Sequence, residues 1–94
     1  MSQYWGTARL GTTQSVAYTG TAGTITNPIS AGIRKARISV TSAAYIKVGV
    51  APTATTSDAY MAADSPEYIT INPGEKVSAI QASVGGTLKV VEIP

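Results

Sequence analysis

An alternation of apolar and polar residues over short stretches most constrains the fold of this chain. In the stretch KARISVT, Ala36, Ile38 and Val40 alternate with charged and hydroxyl side chains, as expected of a strand with one buried face. No ten-residue window carries the apolar stripe of an amphipathic helix. The pattern therefore predicts an all-β protein.

The same alternation recurs in two further stretches. In AYIKVGV it predicts that Ile46, Val48 and Val50 point inward, and in EYITI it predicts the same for Ile69 and Ile71. Only the dipeptide SA separates KARISVT from AYIKVGV. A connection this short predicts an antiparallel hairpin.

Turn residues divide the rest of the chain into short strands. Pro73 and Gly74 in NPGE predict a turn into a partner strand, KVSAIQAS, whose irregular parity suggests a bulge near Ala79. Gly85 and Gly86 predict a primed hairpin turn into the closing strand. Six to eight strands at this spacing predict a small antiparallel β-sandwich or jelly roll, with a compact β-barrel as the alternative.

Chain length predicts one small domain with little core. The 94 residues include no Cys and no His, so neither disulfides nor a structural zinc site can reinforce the fold, and oligomerisation is the remaining candidate. We expect residues 14–94 to form a single β domain and residues 1–13 to form an N-terminal arm. Tyr4 and Trp5 in this arm are expected to dock either onto the chain's own domain or onto a neighbouring copy.

The composition argues against several classes of function. Without His or Cys, the common general base and thiol nucleophile are missing, so we expect no enzyme and no cofactor. Asp58, Asp64 and Glu67 lack the spacing of a calcium loop and are interpreted as solvated charges, with no metal. A net charge of +2 predicts no nucleic-acid partner, and no apolar run is long enough to span a membrane.

Basic residues supply the first candidate contact site. Arg34, Lys35 and Arg37 form a cluster, and strand alternation places Lys35 and Arg37 on one solvent face. The face is either an ordinary solvated one or a contact for an acidic partner surface. Arg9, in the predicted arm, is a further candidate contact residue.

A sixteen-residue excursion, APTATTSDAYMAADSP, supplies the second candidate. It interrupts two strand patterns at residues 51–66, and loops of this length in small domains are usually functional or disordered. We interpret it as a contact loop with Tyr60 and Met61 as apolar anchors. Tyr45 and Tyr68 are expected to face outward, either covering a second side of the sandwich or packing on another subunit.

Residues 45–93 contain a strand ending in KVG, the PTATTSD loop, the segment PEYITINPGEKVSAIQ and the closing GGTLKVVE. In these motifs the chain resembles small structural proteins of tailed bacteriophages. The resemblance implies a head decoration or cement protein, assembled in the host cytoplasm and located on the outer capsid surface of the virion. Its partners would be the major capsid protein and further copies of the chain in a homotrimer.

Two other functions remain open from the sequence. A tail, connector or fibre component would share the sandwich and the oligomerisation. A carbohydrate-binding module would instead use the exposed Tyr and Trp side chains as sugar platforms.

Overall fold

A computed structural model describes residues 10–94, which form eight β-strands and no helix. The strands are β1 (Thr13–Tyr18), β2 (Gly23–Thr24), β3 (Lys35–Val40), β4 (Ala44–Gly49), β5 (Ala59–Met61), β6 (Glu67–Thr70), β7 (Lys76–Gln81) and β8 (Gly86–Ile93). The described residues therefore contain no helix long and apolar enough to cross a membrane. The predicted all-β class is confirmed.

Two antiparallel four-stranded sheets make up the fold. Sheet A has the order β1-β8-β3-β6 and sheet B the order β2-β7-β4-β5. The first strand pairs with the last, the second with the seventh, the third with the sixth and the fourth with the fifth. This winding of one long antiparallel ribbon into two sheets is a jelly roll. The predicted β-sandwich is confirmed, and the alternative of a closed barrel is wrong because the two sheets are separate.

The predicted hairpin between β3 and β4 is wrong, because the two strands lie in different sheets. Thr41 still pairs with sheet A, donating its N–H to Thr87 O at 3.1 Å, while Ala43 O already accepts from Ala82 N at 3.0 Å beside sheet B. The short connection is therefore a corner between sheets. A tight corner and a tight hairpin turn look the same in sequence.

The NPGE segment forms the predicted turn but not the predicted hairpin. Gly74 has a φ of +88°, which favours glycine, and Glu75 N donates to Asn72 O at 3.1 Å. The strands on either side, β6 and β7, belong to different sheets. The turn is thus a second corner of the sandwich.

The predicted bulge near Ala79 and the primed turn before β8 are also wrong. β7 pairs with β4 without interruption from Lys76 to Gln81. Gly85 and Gly86 have no positive φ, and β7 and β8 again lie in different sheets. The irregular parity of β7 arises instead because the apolar Ile80 lies at an outward position, opposite Tyr45, while Val77 and Ala79 point inward.

Apolar residues of both inner faces form one core, as the alternation predicts. Of the seven Ile and Val residues predicted to point inward, four are buried: Ile38, Val40, Ile46 and Ile71. Val48 and Ile69 are only partly buried and pack at the margin of the core. Val50, predicted inward, is exposed because β4 ends at Gly49.

Tyr18 is a core residue that the sequence did not identify. It is buried on the inner face at the end of β1, where its hydroxyl donates to Ser42 O and accepts from Ser42 N at 3.2 Å. A tyrosine suits this position because the corner backbone satisfies its polar tip. Gly86 makes room for it, since a Cβ there would lie 2.6 Å from Tyr18 Oη and 2.7 Å from Thr41 Oγ1.

The described part of the predicted arm is attached to the sandwich. Gly11 N donates to Glu92 O at 2.7 Å, and Glu92 N donates to Thr12 O at 2.9 Å. The Glu92 side chain is buried, and its Oε2 accepts from both Ser30 N and Ser30 Oγ at 2.9 Å. Pairing with β8 therefore begins at residue 11, ahead of the predicted boundary at residue 14.

Candidate interaction surfaces

The outer face of sheet A carries the side chains that point away from the core. Strand pairing assigns to it Thr13, Ser15 and Ala17 of β1, Thr87, Lys89, Val91 and Ile93 of β8, Lys35, Arg37 and Ser39 of β3, and Tyr68 and Thr70 of β6. Hydroxyl groups and cations dominate the set.

Three cations lie close together on this face. Arg37 is opposite Val91 and Ser39 is opposite Lys89. Lys89 and Arg37 are therefore diagonal neighbours on paired strands, a relation that places their Cα atoms about 7–8 Å apart. Lys35 lies two residues from Arg37 on the same strand, about 6.5 Å away. Like charges at these distances repel one another unless an anion lies between them.

No carboxylate of residues 10–94 shares the outer face of sheet A. The five acidic residues of the chain all lie elsewhere: Asp58 in the connection before β5, Asp64 between β5 and β6, Glu67 on an inward position of β6, Glu75 in the turn before β7, and Glu92 on an inward position of β8. The three cations of the face therefore have no acidic neighbour on it.

Apolar side chains lie among these cations. Val91 and Ile93 occupy outward positions of β8 yet are only 9 % and 7 % exposed. Directly opposite them on β3 are Arg37 and Lys35, whose aliphatic stems can cover apolar neighbours while their charged ends reach water. At the sheet edge Tyr68, opposite Arg37, is 56 % exposed.

Part of the outer face of sheet B is covered by the chain itself. Ser78 points outward from β7 but is 0 % exposed, because residues 50–58 fold back across the sheet. Its Oγ accepts from Ala54 N at 3.0 Å and lies 3.1 Å from Thr24 Oγ1, which in turn lies 3.2 Å from Pro52 O. These contacts hold the covering segment to both β7 and β2.

The covering segment also has internal order. Thr55 donates to the Asp58 carboxylate from its N–H at 2.7 Å and from its Oγ1 at 3.2 Å, and Asp58 N returns a bond to Thr55 O at 3.0 Å. Within residues 10–94, no three acidic residues come together in a group that could hold a metal ion. The Asp58 carboxylate is instead part of this turn.

The sixteen-residue excursion is not one continuous loop, because it contains β5. This short strand pairs with the edge of β4, and it places Tyr60 outward and Met61 inward. Tyr60 is 60 % exposed, and its ring meets that of Tyr45 edge-on with centroids 5.8 Å apart. Met61 is buried in the core, so it is not available as a surface anchor.

A shallow apolar groove of about 160 Å³ opens between the edges of the two sheets, where β5 and β6 run. Val48 and Ile69 line it, with Tyr60 at its rim and Glu67 as its charged lining residue. The partial exposure of Val48 and Ile69 follows from this opening. We refer to this region as the open side of the sandwich.

The remaining predicted contact residues have different positions. Tyr4, Trp5 and Arg9 lie outside the described residues. Arg34 is separated from Lys35 and Arg37, because its Nη1 donates to Asn72 Oδ1 at 3.3 Å at the corner before β7. The structure thus divides the basic cluster and adds Lys89, which the sequence analysis missed although it alternates with Leu88 and Val90.

Comparison with known proteins identified no relative: no family model matches the chain, and neither the curated proteins nor the solved structures contain a match.

Proposed function

We propose that this chain is a non-enzymatic structural component of a virion, a head decoration protein that binds the major capsid protein on the outer capsid surface. The sequence resemblance over residues 45–93 supports this proposal. The jelly roll is compatible with it, since this fold recurs in viral capsid domains, although a fold does not determine a function.

The observation that carries the proposal is the division between buried and exposed chemistry. The buried polar side chains Tyr18, Ser78 and Glu92 are all bonded within the domain. What the described surface offers is exposed tyrosine, three clustered cations and many hydroxyl groups. Tyrosine and arginine are enriched in protein interfaces, so this surface is suited to contact with another protein.

We expect the decoration protein to assemble as a homotrimer through the open side of the sandwich. β5 and β6 are the edge strands of their sheets there, and edge strands with unpaired backbone groups readily pair with another chain. Light scattering at micromolar concentration measures the state, with a trimer expected. Tyr60→Ser should lower the mass, whereas Tyr68→Ser, on the outer face of sheet A, should leave it unchanged.

Sedimentation with purified phage heads that lack the protein tests the proposed function. The purified chain should pellet with the heads in hundreds of copies per particle and should raise their resistance to heat. A dozen or so copies would indicate a connector or tail component instead. No pelleting would contradict a role on the virion.

The Tyr45–Tyr60 pair favours a second candidate, a carbohydrate-binding module. Tyr60 is exposed enough to stack on a sugar ring, and its contact with Tyr45 fixes its position. Retention on a glycan array, lost on Tyr60→Ala, would support this candidate over the decoration protein.

A further inference from the structure

We propose that the outer face of sheet A is the docking surface of this domain and that its partner is an acidic protein surface. The inference deepens the proposed function by assigning the contact face and the chemistry of the partner. It rests on three cations, on the absence of an acidic side chain beside them among residues 10–94, and on the exposed Tyr68 next to Arg37.

Charge is the first argument. Lys35, Arg37 and Lys89 lie on adjacent positions of two paired strands, and no acidic side chain of residues 10–94 lies on the same face. Such a cluster repels itself in the free domain and raises the association rate with an oppositely charged surface. Carboxylates placed between the three cations would relieve the repulsion on binding.

The exposed aromatic residue is the second argument, and it favours a protein as the partner. Tyr68 is 56 % exposed at the sheet edge beside Arg37, and tyrosine and arginine are enriched in protein interfaces. Val91 and Ile93 lie among the cations but are nearly buried, so they add little contact area. Three cations neutralise few phosphates, so the cluster alone would hold a nucleic acid only weakly.

The other sheet supplies the third argument. Residues 50–58 cover part of its outer face, and Ser78, Thr24 and Ala54 hold them there. Lys47 and Lys76 are the cations at outward positions of its described strands, and they are diagonal neighbours as Arg37 and Lys89 are, but no third cation lies beside them there. Sheet B is therefore the natural internal control for sheet A.

Two double variants with the same change in net charge test the proposal. R37Q/K89Q removes two charges from sheet A, and K47Q/K76Q removes two from sheet B with the same net change. The probe is a fluorescent twenty-residue peptide of alternating Glu and Leu, followed by anisotropy in low salt, and thymidine 20-mer DNA serves as the competing class. Circular dichroism melting checks that both variants fold.

We expect the sheet A variant to bind the peptide at least ten-fold more weakly and the sheet B variant to bind within two-fold of the original chain. Equal weakening by both variants would overturn the proposal, because binding would then follow net charge alone. Tighter binding of the DNA than of the peptide, with the same dependence on Arg37 and Lys89, would also overturn it in favour of a nucleic acid.

The same variants on phage heads separate this inference from the proposed function. If the original chain pellets with heads and R37Q/K89Q pellets equally well, the docking face is wrong while the decoration role stands. If the original chain binds the peptide through sheet A but does not pellet with heads, the decoration role fails while the acidic partner chemistry stands.

Discussion

The two outer faces of the sandwich are built from similar strands but differ in how far the rest of the chain covers them. On sheet B, residues 50–58 cover the central strand β7, and the outward Ser78 is bonded to Ala54 and lies within hydrogen-bonding distance of Thr24. On sheet A, the central strand β3 keeps its outward Lys35, Arg37 and Ser39 without such a cover from residues 10–94. Among residues 10–94, the chain itself covers part of one face, and we propose that a partner covers the other.

This difference shows how one small domain separates stability from contact. A buried hydroxyl stabilises a fold only where donors and acceptors surround it, as they surround Ser78. Clustered cations are expected to do the reverse, because they repel one another in the free domain and an acidic partner would supply their counter-charges. The covered face should respond to mutation in folding measurements, and the bare face in binding measurements.

The largest expected effect is the loss of stability when a core isoleucine is truncated, and it tests whether the inner faces of the two sheets contribute equally. Ile38→Ala beneath sheet A and Ile46→Ala beneath sheet B should each lower the free energy of unfolding by about 2–5 kcal/mol, since both residues are buried in one core. Ile69→Ala, at the margin of the core, should cost less. Urea denaturation measures all three, and a large effect for one sheet only would show that the core is not shared.

The next largest effect is the change in stability when a glycine is replaced by alanine, compared between one glycine of each sheet. Gly86→Ala in β8 should lower the free energy of unfolding by about 1–3 kcal/mol, because the new Cβ would meet the Tyr18 and Thr41 hydroxyl oxygens. Gly49→Ala at the end of β4 meets nothing within 4 Å and should be neutral or slightly stabilising. Thermal melting of both variants checks this, and equal melting temperatures would remove the packing role of Gly86.

Outward serines of the two central strands give the most direct test of the covering segment. Ser78→Ala leaves the Ala54 N–H without its acceptor and should cost about 1–2 kcal/mol. Ser39→Ala, at an outward position of β3, should change stability by less than about 0.5 kcal/mol. Hydrogen exchange at the Ala54 amide should accelerate in the first variant only, and unchanged exchange there would contradict the attachment of residues 50–58.

The smallest effect concerns the free domain's charges. Lys89→Gln should leave stability unchanged or raise it by a few tenths of a kcal/mol in low salt, because it relieves repulsion with Arg37. The gain should disappear at high salt. Lys47→Gln, which relieves repulsion with its diagonal neighbour Lys76 on sheet B, should show a similar salt dependence. Destabilisation by Lys89→Gln at low salt would mean that Lys89 has a favourable partner within the chain.

The inner faces were predictable and the corners were not. Strict alternation identified Ile38, Val40 and Ile46 as core residues. Successive side chains of a strand point to opposite faces, so the apolar residues show which face is buried. The same short dipeptides and glycines that predicted hairpins are corners between sheets. Local turn chemistry does not reveal which of two sheets the next strand joins, since long-range pairing decides it.

The candidate surfaces were predictable to a similar degree. Alternation placed Lys35 and Arg37 on one face correctly, but only the pairing of β3 with β8 brings Lys89 beside them. Met61 was misread because the short β5 inside a low-complexity stretch was not recognised, and pairing with β4 turns that side chain into the core. Contacts made across about fifty residues of sequence leave no local signal.

Lysine reactivity on the assembled particle tests the central claim most directly, because the chain carries two lysines on each sheet. Free and head-bound protein would be acetylated briefly, and the modification at each lysine would be measured by mass spectrometry. We expect binding to protect Lys35 and Lys89 while Lys47 and Lys76 keep their reactivity. Protection of Lys47 and Lys76 with Lys35 and Lys89 still reactive would contradict the account.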